Sequence, residues 1–167
     1  GFDESKDTYC LEDMGYGEFG FSNGEYGSSE CSYTSYECET AFAYDEDTAT
    51  CFSVLNMSRW GWTIGPIAPN SSATHTYQIW AGAADCDLET GTLVGKLVFT
   101  YDGSEATATF TAEEGFGFEE TQFYIGVGEV PEDNNGNPTV APGKYGNIHE
   151  SLDMVTSDSY TVEVDVD

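Results

Sequence analysis

Alternation of apolar and polar side chains over residues 92–112 is the feature that most constrains the fold of this chain. A period of two is typical of a strand with one buried face, because successive side chains point to opposite faces. Asp102-Gly103 divides the stretch, and such a pair favours a type I′ hairpin turn. The sequence therefore predicts a hairpin of Thr92–Tyr101 and Glu105–Ala112. The side chains predicted to share the buried face are Leu93, Leu97, Phe99 and Tyr101 in the first strand and Ala106, Ala108, Phe110 and Ala112 in the second.

Similar signals recur along the chain from Cys38 onward. They predict further strands at 40–44, 49–55, 59–64, 74–81, 121–127 and 159–166. No stretch shows the sustained period of a helix. Threonine and aromatic enrichment with frequent Gly and Asp-Gly turns favours an antiparallel β-sandwich of the immunoglobulin-like or jelly-roll kind. We therefore predict an all-β domain over residues 38–167, whose last strand completes its own sheet or adds to the sheet of another subunit.

Residues 1–37 differ from the rest of the chain. Glycines interleave with aromatic residues, acidic residues are scattered throughout, and no regular period emerges. This composition predicts an irregular Gly- and aromatic-rich acidic arm ahead of the sandwich. Two arrangements are open: the arm wraps its own domain through Cys10 and its aromatic side chains, or it docks on a neighbouring subunit.

The charge balance excludes several partners. The chain has 31 Asp and Glu against 4 Lys and Arg, a formal net charge of -27. Nucleic acid and anionic membrane surfaces are excluded because binding to phosphate needs clustered basic side chains. No apolar run approaches the roughly 20 residues of a membrane span, so no membrane insertion is expected. Cations, glycans and other proteins remain as partners.

The cysteine pattern favours a secreted protein. No C-x-x-C pair occurs, and His75 and His149 stand far apart in the chain, so a structural zinc site is not expected. Two intrachain disulfides with one cysteine left over are expected, and their connectivity stays open. No signal-peptide pattern opens the chain, as expected for a processed, mature form. The disulfide candidates are Cys10, Cys31, Cys38, Cys51 and Cys86.

Two loops carry oxygen ligands of the type that calcium prefers. The first lies in a stretch of about twenty residues after Val127 that has no clear period, and a loop of this length is usually functional or pinned by a ligand. Its match to an EF-hand is incomplete, because Pro131 and Pro142 stand where acidic ligands belong. The candidate ligands are Asp133, Asn135 and Asn137 in this loop, and Asp85, Asp87 and Glu89 in a second loop. Each of these two sets is either a calcium site or plain solvated surface.

The three tryptophans have two interpretations. Trp60 and Trp62 lie on one face if their segment is extended, and Trp80 belongs to another predicted strand. Exposed tryptophans would provide a platform for stacking on sugar rings, whereas buried ones would fill a sandwich core. The glycines that flank Trp62 favour close packing.

No catalytic constellation is recognisable. Neither His75 nor His149 lies in a nucleophile motif, and with so many acidic residues close carboxylate pairs arise by chance. We therefore predict no enzymatic activity. Asn56 and Asn70 each begin an N-glycosylation pattern, which matters only if the source glycosylates secreted proteins.

From Cys38 to His149 the chain resembles a family of uncharacterised secreted proteins of marine bacteria. The resemblance rests on CETAFAY at 38–44, ATCF at 49–52, RWGW at 59–62, GTLVG at 91–95 and VAPG at 140–143. It implies an extracellular β domain, but it supplies no established activity and no catalytic residues to transfer.

These observations together predict a non-enzymatic structural protein that is secreted and acts outside the cell or on its surface. The expected mechanism is self-assembly into a surface layer or filament, with the N-terminal arm or C-terminal strand of one subunit completing the sheet of the next. The alternative is a calcium-dependent module for extracellular glycans or adhesion that uses Trp60, Trp62 or Trp80.

Overall fold

The computed structural model describes residues 38–164 and three short backbone stretches at 9–11, 19–24 and 34–36. The strands are β1 (Tyr9–Leu11), β2 (Phe19–Gly24), β3 (Thr34–Tyr36), β4 (Cys38–Glu39), β5 (Ala41–Tyr44), β6 (Ala49–Cys51), β7 (Trp62–Ile64), β8 (Asn70–Ala81), β9 (Thr92–Tyr101), β10 (Glu105–Ala112), β11 (Phe116–Phe118), β12 (Thr121–Phe123), β13 (Asn147–His149) and β14 (Ser157–Glu163). Short 3-10 turns occupy Phe52–Leu55, Ala84–Cys86 and Leu88–Thr90. The predicted all-β class is confirmed.

An antiparallel sheet of five strands in the order β14-β10-β9-β8-β5 forms the body of the domain. Strands β9 and β10 have the predicted bounds and pair as the predicted hairpin. The C-terminal strand β14 pairs with β10 of its own chain, with Tyr160 opposite Ala108. Two smaller pairs, β6–β7 and β12–β13, lie outside this sheet. The domain is therefore a layered β structure with β14 and β5 at the edges of its main sheet.

The short strands of the N-terminal arm join a second five-stranded sheet, in the order β11-β1-β4-β2-β3. Strand β1 runs parallel to β11, with Tyr9 opposite Phe116, and parallel to β4, with Cys10 opposite Cys38. The arm side chains, including those of Cys10 and Cys31, lie outside the described residues. Cys38 is disulfide-bonded. No helix in the described parts of the chain is long and apolar enough to cross a membrane.

The hairpin turn differs from the predicted type I′. The Asp102 backbone N–H donates to the Glu105 carbonyl at 3.1 Å, so Gly103 and Ser104 are the central turn residues. Of these two only Gly103 has a positive φ, of 104°, whereas a type I′ turn requires positive φ at both. The Asp102 carboxylate accepts hydrogen bonds from the backbone N–H of Ser104 (2.9 Å) and of Glu105 (2.7 Å). These bonds lower the pKa of Asp102. The aspartate thus closes the turn through its side chain.

The prediction that Leu93 faces the core is wrong. Leu93 is 36% exposed and Val94 is buried in its place. The register between β8 and β9 shifts here, because Ile79 is opposite Gly95 while Trp80 is opposite Leu93. This bulge leaves Val94 without a direct partner on β8 and turns its side chain inward.

Three predicted strands are shorter than expected. The strand expected at 49–55 gives way to the 3-10 turn Phe52–Leu55, the one expected at 59–64 begins at Trp62, and the one expected at 121–127 ends at Phe123. Asn56 ends the 3-10 turn in the left-handed conformation, with a φ of 63°. Strands β11 and β13 were not predicted, since each is only three residues long and shows too little alternation.

The buried side chains form two apolar clusters on opposite faces of β5. The first, called here the sheet cluster, includes Ala41, Ile79, Phe99, Phe110, Phe118 and Tyr160. The second, called here the tryptophan cluster, includes Phe42, Phe52, Trp62, Ala83, Val130 and Val140, with Trp60 and Trp80 packed against it. Ala41 and Phe42 are neighbours in the chain, so β5 is buried on both of its faces.

Close packing around Gly61 holds the tryptophan cluster together. A Cβ atom at Gly61 would lie 2.6 Å from the Phe52 ring and 2.8 Å from the Phe42 ring. The backbone φ of Gly61 is +145°, a region that other residues rarely adopt. Glycine at this position therefore brings the two aromatic side chains against the backbone that precedes Trp62.

A disulfide between Cys51 and Cys86 joins the tryptophan cluster to the loop after β8. Its Cα atoms are 6.1 Å apart and the two residues are separated by 35 positions in the sequence. The sequence had left the connectivity open. A bond that closes a loop of this length stabilises the fold mainly by restricting the unfolded chain.

We expect the double variant Cys51→Ser, Cys86→Ser to lose about 3 to 4 kcal/mol of unfolding free energy, because the unfolded chain regains the entropy of an open loop. Urea denaturation followed by tryptophan fluorescence measures this loss. Ser58→Ala, at an exposed position after the same 3-10 turn, is the control and should stay close to the parent protein. An unchanged midpoint for the double variant would show that the bridge contributes nothing to stability.

Candidate functional site

An apolar cavity of about 640 Å³ lies between the main sheet and the segments that cross over it. Strands β8, β9 and β10 form its floor through Tyr77, Phe99 and Phe110. Strand β7 with the following residues 65–67 forms part of its wall, and residues 122–131 form a further part of the wall and the rim. The volume is in the range of about 300 to 1,000 Å³ typical of small-molecule sites.

Aromatic rings provide much of the lining of this cavity. They include Trp62, Tyr77, Phe99, Tyr101, Phe123 and Tyr124. Tyr77 and Phe99 are stacked with ring centroids 6.5 Å apart, and the Phe99 and Phe123 centroids are 6.1 Å apart. None of the described lining residues is Lys, Arg or His. The surface offered to a ligand is therefore largely aromatic and carries no positive charge.

The polar groups in the lining are few. Gln122, only 3% exposed, accepts a hydrogen bond from the Gly143 backbone N–H (3.0 Å) and donates one to Glu120 (3.1 Å). Glu129 is an acidic residue of the lining and lies in the exposed rim. The Tyr77 hydroxyl belongs to a buried side chain. A few polar groups among aromatic walls orient a ligand without supplying most of its affinity.

Side chains fix the rim by bonding to its backbone. The Thr63 hydroxyl donates a hydrogen bond to the Glu129 carbonyl, and the Tyr124 hydroxyl donates one to the Gly128 carbonyl (3.0 Å). Val130 anchors the end of the segment in the tryptophan cluster. Val127, by contrast, is 90% exposed. The aperiodic loop that the sequence marked as functional thus begins at the rim of the cavity.

A partly buried polar network lies beside the cavity and joins β12–β13 to β14. The Asp158 carboxylate is bonded to the Thr121 hydroxyl and to His149 Nδ1, the latter at 2.8 Å. The Tyr160 hydroxyl donates to the Thr121 carbonyl at 2.8 Å, and the Tyr160 and His149 rings stack with centroids 4.1 Å apart. The network satisfies polar groups that would otherwise be buried without partners. The sequence did not indicate this network, because its three segments are distant in the chain.

Burial raises the pKa of two tyrosines to about 12. Desolvation is the largest cause for both, with Asp45 adding to the shift at Tyr77 and Asp158 adding to it at Tyr160. The hydroxyl of Tyr160 also bonds to Thr121, which offsets part of the effect of burial. Both phenols are therefore neutral across the physiological range.

We expect the folded state to lose stability as the pH rises from about 10 to about 12. The folded protein holds both phenol protons more tightly than the unfolded chain, so this contribution is complete below pH 10 and is lost as the folded-state groups ionise. Urea midpoints measured across this range test it. The Tyr77→Phe variant should show a shallower decline than the parent, and an equal slope in the two proteins would contradict the assignment.

The first predicted calcium loop uses its aspartate internally. Asp133 accepts hydrogen bonds from the backbone N–H of Asn135 (2.8 Å) and of Asn137 (2.9 Å). These bonds lower the pKa of Asp133. Lys144 donates a hydrogen bond to Asn134 at 3.4 Å. The loop is thus closed by its own side chains, and a calcium ion there stays a prediction.

The second predicted calcium set lies on the two 3-10 turns after β8. Asp87 caps the turn Leu88–Thr90 by accepting from the Glu89 N–H at 2.9 Å, and Asp85 has a left-handed φ of 60°. Across the described parts of the chain, no group of three or more His, Cys, Asp or Glu side chains is placed to hold a metal ion. A cation at Asp85, Asp87 or Glu89 also stays a prediction.

The three tryptophans pack together rather than forming a flat platform. Trp62 is buried, and its ring meets that of Trp60 edge to face with centroids 5.6 Å apart. Trp60 also meets Phe42 edge to face, and Trp80 packs against the same cluster. Glycan binding through these rings stays a prediction. Asn56 and Asn70, the predicted glycosylation positions, are both exposed.

Comparison of the chain with family models, curated proteins and solved structures gives no match. The resemblance to secreted marine bacterial proteins stays an expectation. Function is therefore inferred from the geometry of the described residues.

Proposed function

We propose that this protein is a non-enzymatic extracellular binding module and that the cavity between the main sheet and residues 122–131 is its ligand site. The observation that carries the proposal is the cavity itself, about 640 Å³ in volume and lined mainly by aromatic side chains. An apolar ligand that enters the cavity removes its own apolar surface and that of the lining from contact with water, and this burial favours binding. The module recognises an apolar group and performs no chemistry on it.

Two features support an apolar ligand over a sugar. Besides the tyrosine hydroxyls, the polar side chains of the lining are those of Thr50, Thr63, Gln122 and Glu129, and Gln122 is already bonded on both sides. A sugar needs many more hydrogen-bond partners, because each buried hydroxyl left without one costs free energy.

The extracellular location rests on the Cys51–Cys86 disulfide, since such bonds persist in oxidising compartments.

We expect the protein to bind N-phenyl-1-naphthylamine, a neutral apolar fluorophore, at one site per chain, with a rise in probe emission and a change in Trp62 fluorescence. The variant Ala43→Phe adds a ring inside the lining and should weaken binding at least about tenfold, because the new side chain takes the volume of the ligand.

The matched control is Ala112→Phe, the same substitution at a partly buried position outside the lining. It should bind the fluorophore like the parent protein. Thermal melts of both variants establish that each is folded. Absence of saturable binding to the parent, or equal loss in both variants, would remove the cavity as a ligand site.

Self-assembly is the second candidate function, favoured by the position of β14 at an edge of the main sheet. The outer side of an edge strand presents unpaired backbone groups that a strand of another subunit can pair with. The net charge of -27 opposes such contacts, and salt or divalent cations reduce this repulsion. Assembly would then depend on ionic strength.

We expect the mass measured by light scattering to rise when NaCl is increased from about 20 mM to about 500 mM, since the Debye length falls below the spacing of charges on facing subunits. Electron microscopy of the same samples should show filaments or layers. Sodium chloride and calcium chloride at matched ionic strength separate screening from specific calcium binding. A monomer under all conditions would contradict assembly.

A further inference from the structure

We infer that the ligand of the cavity is a cationic amphiphile, an apolar body that carries an alkylated ammonium group. The inference rests on the proposed function and names the chemical class that the site selects. Its three supports are the aromatic faces in the lining, the sign of the charges around the lining, and the carboxylate at the rim.

The aromatic lining suits a cation with an apolar surface. The faces of Trp, Tyr and Phe carry partial negative charge and attract an ammonium group within about 6 Å, most strongly when water is excluded. Tyr77 and Phe99 are stacked on the floor, and Tyr101 and Tyr124 belong to the same lining. An alkylated ammonium loses less hydration on burial than a primary ammonium, because it donates few or no hydrogen bonds to water.

The charges around the cavity are negative. Burial is the largest cause of the raised pKa of Tyr77 and of Tyr124, and the negative charges of Asp45 and Glu132, respectively, raise these pKa values further. None of the described lining residues is Lys, Arg or His. A carboxylate or sulfate ligand would therefore meet repulsion with no positive side chain to compensate it.

Glu129 is positioned to meet the ammonium group. It lies in the exposed rim and is part of the lining, and its backbone carbonyl accepts the hydrogen bond of the Thr63 hydroxyl. This bond ties the rim directly to β7. A ligand whose apolar body fills the aromatic floor would leave its charged end near this carboxylate.

The test compares three probes with the same eight-carbon chain: octyltrimethylammonium, 1-octanol and octanoate. Isothermal titration in about 150 mM NaCl limits attraction by distant surface charges. We expect octyltrimethylammonium to bind about five to thirty times more tightly than 1-octanol, the range that cation–π contacts supply, and octanoate to bind most weakly. Glu129→Gln and Tyr101→Leu should each reduce this preference, and Tyr101→Phe should preserve it.

Glu114→Gln is the control, because it removes one exposed carboxylate outside the lining. It should leave the preference unchanged. Equal binding of the three probes, or tighter binding of octanoate, overturns the cationic class and leaves the cavity as an apolar site. Cation binding that survives Ala43→Phe is surface adsorption and also overturns the inference. Failure of all three probes, together with that of the neutral fluorophore, removes the proposed function itself.

Discussion

Burial of β5 on both faces is the constraint on which the rest of the structure depends. Ala41 points into the sheet cluster and Phe42 into the tryptophan cluster, so a four-residue strand joins two apolar cores. The second core holds Val130 and Trp62, which both belong to the lining of the cavity. The cavity persists as an open space because its walls are fixed to this second core and its floor to the first.

The excess of carboxylates is compatible with this fold because several of them close their own turns. Asp102, Asp133 and Asp87 each accept hydrogen bonds from backbone N–H groups within four residues. In this role an aspartate replaces a backbone acceptor and needs no cation. The two loops proposed for calcium therefore have a structural explanation that does not depend on an ion.

Local signals predicted the fold well and the site poorly. The bounds of β9 and β10 follow from alternation within each strand, which is a property of neighbouring residues. Leu93 was misplaced because the bulge is set by pairing with β8, which alternation within β9 does not report. The cavity was missed because its lining comes from segments distant in sequence. Only the aperiodic loop after Val127 indicated this region of the chain as a candidate site.

The way in which the rim is attached has an evolutionary consequence. Thr63 and Tyr124 hold it through the carbonyl groups of Glu129 and Gly128, which every amino acid possesses. The exposed side chains of Val127 and Glu129 consequently contribute little to keeping the segment in place, whereas a Cβ atom at Gly126 would lie 2.5 Å from the Tyr124 hydroxyl. Substitutions at Val127 and Glu129 would change the entrance of the cavity without disturbing the bonds that hold the rim, so relatives of this domain that share its fold can differ at these two positions.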